Sequence, residues 1–322
     1  MTSSLPLYVD IEGRNDASVM PPGVFCGTSS WTFAVCADRD KLQALAQRLI
    51  SDPTGGEWQV CVPAGLVLMI FFNEDSLNSP AQPIGWTPNQ EFVCSIPVLL
   101  QSKSDPLKVH IGLLPPWVYI DNARGMVTGR ESWGYFKNLG TISAPKEWSS
   151  DFCCSLDTLT FTPVAPSTEG EVTRLVTVEP IDEVTDPPTH IPGLPPAQHA
   201  TIVELLRRHV EEDALELFEK AVMALEPFAI TVFNLKQFRD VTDPTRACFQ
   251  SITTSPLQVT KIESMHLLPQ GLGVMIEACG SEQMAQLLGI CDCPAKVLFG
   301  IGAELEYSAI SGATLWQART GC

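Results

Sequence analysis

From Trp58 to Ile120 the apolar residues come in short runs broken by turn-forming stretches: WQVCVPAGLVLMIFF, EFVCSIPVLLQ and KVHIGLLPPWVYI. The runs are rich in β-branched and aromatic side chains, a pattern that predicts strands. The polar stretch between the first two, NEDSLNSPAQPIGWTPNQ over 73–90, reads as a loop. One earlier segment has a different period. DRDKLQALAQRLI, 38–50, opens on an aspartate and repeats Leu42, Leu45, Leu49 and Ile50 at helical spacing, which predicts a short amphipathic helix covering the sheet.

Two further strand-like runs, FCCSLDTLTFTPV and EVTRLVTVEP, precede a segment of different character. VEPIDEVTDPPTHIPGLPPAQ, 178–198, carries six prolines and four acids and reads as a linker. From His199 to Leu225 an apolar stripe including Ile202, Leu205, Leu206, Val210 and Phe218 faces glutamates and arginines, predicting one or two helices. Strands return in FAITVFNLKQF, ACFQSITTSPLQVTKIESMHLL and KVLFGIGAELEYSAI, with DVTDPTRA as a hairpin turn. GSEQMAQLLGI, 280–290, reads as a short helix. Strand-rich stretches on both sides of the linker favour one α+β domain over residues 1–322, a single mixed sheet or barrel completed by C-terminal strands.

Composition narrows the classes of function. The chain has 322 residues, 45% hydrophobic and 18% charged, ample for a large core. Its 37 acidic against 20 basic residues give a net charge of −17, which disfavours nucleic acid and anionic membrane surfaces as partners. Without a long apolar span or a basic-apolar leader in the N-terminal residues, the expected location is cytoplasmic. Eleven cysteines, an odd number set among apolar neighbours, suit reduced core thiols. Neither they nor the five histidines take a metal-ligand spacing, so no metal or cofactor is expected.

No GxGxxG, GxxxxGK, HExxH or GxSxG motif supplies a reaction. The remaining candidate is GRESWGYFKNLG, 129–140, which sets Lys137 beside Trp133, Tyr135 and Phe136. On the residues alone two readings stand. A surface lysine would lay its stem over Trp133 or Tyr135 with its head in water. A lysine buried in an apolar pocket would have its pKa lowered by roughly 3 to 5 units, and the neutral amine could then form a Schiff base with a ketone.

GRESWGYFKNLG resembles the signature of the acetoacetate decarboxylase family, in which a Gly-Arg-Glu run leads through an aromatic residue to a lysine followed by Leu-Gly. VYIDNARGMVTGRE is similar to the family's approach to that signature, and EFVCSIPVLL to the stretch in which a glutamate lies six residues before an Ile-Pro-Val proline. FNLKQFRDVTDPTRACFQSITTSPLQVTKI resembles the family's late hairpin. The resemblance implies a mostly antiparallel cone-shaped β-barrel or double sheet with peripheral helices, in which 166–227 is a helical insertion carrying the proline linker. It further implies Lys137 as the Schiff-base nucleophile, Glu91 as the second catalytic residue, and a homo-oligomeric assembly.

Trp133, Tyr135, Phe136, Asn138, Arg130 and Glu131 are the candidate pocket residues, with Arg130 and Glu131 expected to form a structural ion pair that fixes the loop. The sequence also departs from the family. Asn138 stands where the family has a second lysine, CGTSSW (26–31) lacks the N-terminal pocket arginine, and LVLMIFF offers no second pocket glutamate. These losses point to decarboxylation of a β-keto acid larger or more apolar than acetoacetate, in secondary, polyketide-like metabolism. A Schiff-base aldolase-dehydratase and a non-catalytic cyclisation scaffold for an apolar ligand are the alternatives.

Overall fold

The computed structural model describes residues 8–9, 18–181, 188–190 and 229–318. The first half contributes β1 (Gly23–Cys36), α1 (Arg39–Ala46), β2 (Trp58–Cys61), β3 (Leu66–Ser79), β4 (Gln82–Ser102) and β5 (Val109–Ile120). Helix α2 (Ala123–Thr128) leads to β6 (Lys137–Ser143), β7 (Cys154–Thr160), β8 (Glu171–Pro180) and the short β9 (Thr189–His190). The last part supplies β10 (Ala229–Arg239), β11 (Ala247–Leu267), β12 (Leu272–Ile276), α3 (Met284–Leu288), β13 (Ala295–Ala309) and β14 (Thr314–Gln317).

Strands β1, β3, β4, β5, β10, β11 and β13 pair in that order and β13 returns to β1, closing a ring. All of these contacts are antiparallel except β5–β10, which touch in parallel at Leu113 and Val232. A second circuit runs from β5 through β6, β7, β8 and β12 to β13. The architecture is thus the expected α+β class: a mostly antiparallel sheet curled into a barrel, with small peripheral helices.

The two circuits explain why LVLMIFF is apolar without alternation. Successive side chains on a strand point to opposite faces, so a strand buried on both sides reads as a continuous apolar run. Met69 and Phe71 enter the main core with Phe33, Phe92, Tyr119 and Phe152. Ile70 and Phe72 point the other way, into the ring. A smaller cluster of Phe25, Leu77, Trp133, Tyr307 and Ala309 packs at that second face. Each fully buried Phe or Leu of this kind stabilises the fold by about 1.5–3 kcal/mol relative to exposure.

Helix α1 forms where expected, its Asp38 carboxylate accepting the amides of Asp40 and Lys41, and continues as a π-helical turn over Gln47–Ser51. The loop expected over 73–90 is instead the far half of a long β3–β4 hairpin. Ladder bonds from Asn73–Gln90 to Ser79–Gln82 satisfy the backbone whatever the side chains, so polar residues do not end the strands. In the expected insertion over 166–227, residues 171–180 are β8, paired to β7 and β12 within the sheet. The helices expected over 199–225 lie outside the described residues. Among the described residues the cysteines are free thiols, no cluster of three or more metal-ligating side chains occurs, and no helix is long and apolar enough to cross a membrane.

Candidate active site

Lys137 is the first residue of β6, which runs parallel to β5 with Lys137 opposite Val118. The chain reaches it through α2, whose N-cap Asn122 accepts the Gly125 amide at 2.7 Å, and a π-helical turn over Gly129–Trp133. Two glycines of the signature are demanded by this path. Gly134 ends the turn at φ +87°, a left-handed conformation that L side chains rarely adopt. A Cβ on Gly129 would lie 2.6 Å from both Cδ and Cε of Lys137. The lysine stem therefore lies directly on the Gly129 backbone.

The amine enters the ring rather than solvent. Lys137 is 7% exposed, its Nζ donates to Glu91 Oε2 at 2.8 Å, and it stands 5.5 Å from the Tyr135 ring centroid. Glu91, on β4, is 9% exposed and shares its strand face with Val93 and Ser95. It is not the solvent-side carboxylate that its place at a strand edge would suggest. Nor is the amine held by an apolar pocket alone: a buried carboxylate accompanies it.

A second carboxylate lies behind the first. Glu74, two residues beyond LVLMIFF, is 1% exposed and has the same strand parity as Ile70 and Phe72. It accepts from the Tyr307 hydroxyl on one oxygen and from Asn89 Nδ2 on the other, and Asn89 Oδ1 in turn accepts from Asn122 Nδ2 at 2.8 Å. Desolvation and the neighbouring Glu91 charge push the Glu74 carboxyl up to about 8, against the opposing hydrogen bonds and Lys137. At neutral pH it holds a proton. Glu74 is not among the residues lining the cavity; it lies behind the wall, two residues past the apolar run that offered no second glutamate.

The cavity before the amine has a volume of about 70 Å³. Its wall combines Phe25, Ile70, Phe72, Val93, Leu113 and Leu257 with Trp133, Tyr135 and Tyr307. Burial, reinforced by the nearby carboxylates, raises the Tyr307 phenol well above its ordinary pKa, so it remains a proton carrier. Among the described residues no arginine lines this cavity, in keeping with its absence from CGTSSW.

The sequence candidates divide between two faces. Lys137, Glu91, Trp133 and Tyr135 meet at the cavity. Phe136 packs on the main core, and Asn138 is exposed beside Tyr119 and Glu282 in a separate surface pocket. Arg130 and Glu131 are exposed, and the ion pair expected between them is replaced by another contact: Arg130 Nη1 donates to the Lys137 carbonyl at 3.0 Å. Arg130 still fixes the loop, through its backbone. Glu74 and Tyr307 were missed by the sequence reading. An isolated acid within the polar 73–90 stretch and a tyrosine in a late strand carry no local signal.

No family profile and no curated protein sequence matches the chain. Solved structures do. The acetoacetate decarboxylase of Legionella pneumophila subsp. pneumophila str. Philadelphia 1 superposes with a TM-score of 0.59 at 13% identity, over 98% of this chain and 94% of that one. An acetoacetate decarboxylase-like enzyme from Sphingomonas wittichii RW1 gives 0.55 at 14% identity, over 94% and 95%. The enduracididine biosynthesis enzyme MppR, complexed with the condensation product of pyruvate and imidazole 4-carboxaldehyde, gives 0.54 at 13%, over 98% of both chains. The chain has the acetoacetate decarboxylase fold along nearly its whole length, as a divergent sequence.

Proposed function

We propose that this protein is a lysine-dependent enzyme that forms a Schiff base with a keto acid and releases its carboxylate as carbon dioxide. The observation that carries the reading is the buried Lys137 amine, 2.8 Å from the Glu91 carboxylate, at the head of a largely apolar cavity. Glu91 is in reach to take the ammonium proton, and the free amine attacks the substrate carbonyl carbon; loss of water leaves an iminium. With a β-keto acid, the bond to the carboxylate then breaks, its electrons move to the iminium nitrogen, and an enamine remains. The enamine carbon takes a proton from the Tyr307 hydroxyl, which Glu74 replenishes across their hydrogen bond. Water hydrolyses the resulting iminium and returns Lys137 with a ketone.

The cavity bears on the substrate. A single water needs roughly 10–15 Å³ of such space, so about 70 Å³ suits a keto acid of a few heavy atoms with a short apolar tail. A polyketide-like chain would require the wall to open. The apolar wall and the missing arginine favour an apolar tail longer than the methyl group of acetoacetate.

A second reading shares the iminium but ends in aldol condensation and dehydration. It is favoured by the similarity to MppR holding a condensation product of pyruvate and an aldehyde. One experiment tests both. Borohydride reduction in the presence of short β-keto acids should leave a mass adduct on Lys137, with carbon dioxide released. An adduct with a longer enone product instead would favour condensation, and no adduct with any keto acid would leave only the non-catalytic scaffold. Homo-oligomeric assembly is part of the proposal, and light scattering reads it directly.

A further inference from the structure

In a chain of net charge −17, three of its 20 basic residues, Arg130, Arg239 and Arg246, converge on one pocket of about 480 Å³ beneath the β10–β11 turn. Gln237, Gln250 and Thr245 add polar groups, Phe136 and Phe238 supply apolar wall, and among the described residues no carboxylate lines it. The acids of the turn are already partnered, one of them with a pocket arginine. Asp240 and Asp243 accept from the hydroxyls and amides of Thr242 and Thr245 within the turn, Asp243 also pairs with Arg246 Nε at 3.2 Å, and Glu131 interacts with Lys236.

The guanidinium groups are held in place. Arg239 Nη1 donates to the Pro244 carbonyl at 2.7 Å and Arg130 Nη1 to the Lys137 carbonyl at 3.0 Å. A guanidinium has five N–H groups, and these contacts use one apiece, so the planar forks retain donors for carboxylate or phosphate oxygens. Anchored arginines lose less rotamer freedom on binding than free ones.

This pocket is distinct from the lysine cavity. Val232 on β10 lines the lysine cavity, and Asn234, on the same face, bonds Ser255 at 3.2 Å; Leu235 and Gln237 have the opposite parity and line the arginine pocket. Tyr135 lines both, and Arg130 lines this pocket while holding the strand that carries Lys137.

We propose that the pocket beneath the β10–β11 turn is a second binding site, for a compact anion bearing two or more phosphate or carboxylate groups.

Isothermal calorimetry with inorganic pyrophosphate and with citrate, in about 150 mM salt so that diffuse attraction is screened, tests the site. One-site saturable binding is expected, and the probe that binds more tightly distinguishes phosphate from carboxylate chemistry. Arg239→Gln with Arg246→Gln should weaken it at least tenfold. Gln237→Glu, which keeps the acceptor for Gln250 while adding a like charge, should do the same in a folded protein. Lys137→Ala should bind as the native chain does, which separates this site from the proposed reaction. Absence of saturable heat with both probes, or unchanged affinity in the arginine double variant or in Gln237→Glu, would overturn the proposal.

Discussion

The two walls of the lysine cavity are built on different terms. The signature wall, residues 129–140, is held by its backbone: a π-helical turn, a left-handed Gly134, Gly129 beneath the lysine stem, and Arg130 on the Lys137 carbonyl. The opposite wall, the β3–β4 hairpin, contributes through side chains alone, with Glu74 and Glu91 aimed inward by the strand parity and Asn89 and Tyr307 arranged around the rear acid. The difference shows how a buried amine and the carboxyl groups around it can be set independently. A local motif aims the amine, while sheet register delivers the carboxyls.

The largest effect expected is on the signature wall. Lys137→Ala should abolish the borohydride adduct and lower the decarboxylation rate by at least about 10³-fold, since among the described residues no other amine lines the cavity. A variant that keeps its rate would make the whole wall structural. On the hairpin wall, Glu74→Gln should lower kcat by about 10²-fold while leaving adduct formation in place, the loss being that of a proton donor. Steady-state rates beside trapping yields separate the two walls.

The same variant carries a pH signature. With its folded pKa raised from the ordinary 4.5 to about 8, Glu74 binds a proton in the native state that the unfolded chain lacks between those values. Stability should therefore fall as pH rises from about 4.5 to about 8 and level off above. Glu74→Gln should flatten that slope, as read by denaturant midpoints at pH 5 and pH 8. A slope unchanged by the substitution would deny Glu74 its native proton.

A smaller effect tests the backbone terms. Gly129→Ala places a methyl 2.6 Å from the lysine stem and should slow adduct formation about tenfold, with a stability loss of about 1–3 kcal/mol. If trapping is as fast as in the native chain, the stem moves freely and the signature wall is softer than its contacts indicate. The smallest is Asn122→Ala, which removes the α2 cap and the link to Asn89. About 1 kcal/mol of stability should be lost by thermal melting, with the adduct still formed.

Legibility followed the same division. Helix α1, the apolar strands and the hairpin after 240 could be read because period and turn residues are local. The strands over 73–90 could not. Their backbone is satisfied by a partner strand, and side-chain polarity does not report on that. Asn138 and Phe136 were assigned to the pocket by adjacency to Lys137. A strand sends neighbours to opposite faces, and the surface pocket and main core received them instead.

By itself the sequence determined the α+β strand-rich class, the lysine to examine, and Glu91 as its companion, because these rest on short-range patterns and a contiguous signature. Only the tertiary structure decided that Glu91 reaches Lys137 across 46 residues and that Tyr307 hydrogen-bonds to Glu74, 233 residues away, behind them. Only it, too, collected three arginines outside the ring. Closing a sheet brings distant strands into register, and the desolvation that gives their polar groups unusual chemistry exists only once the ring is closed.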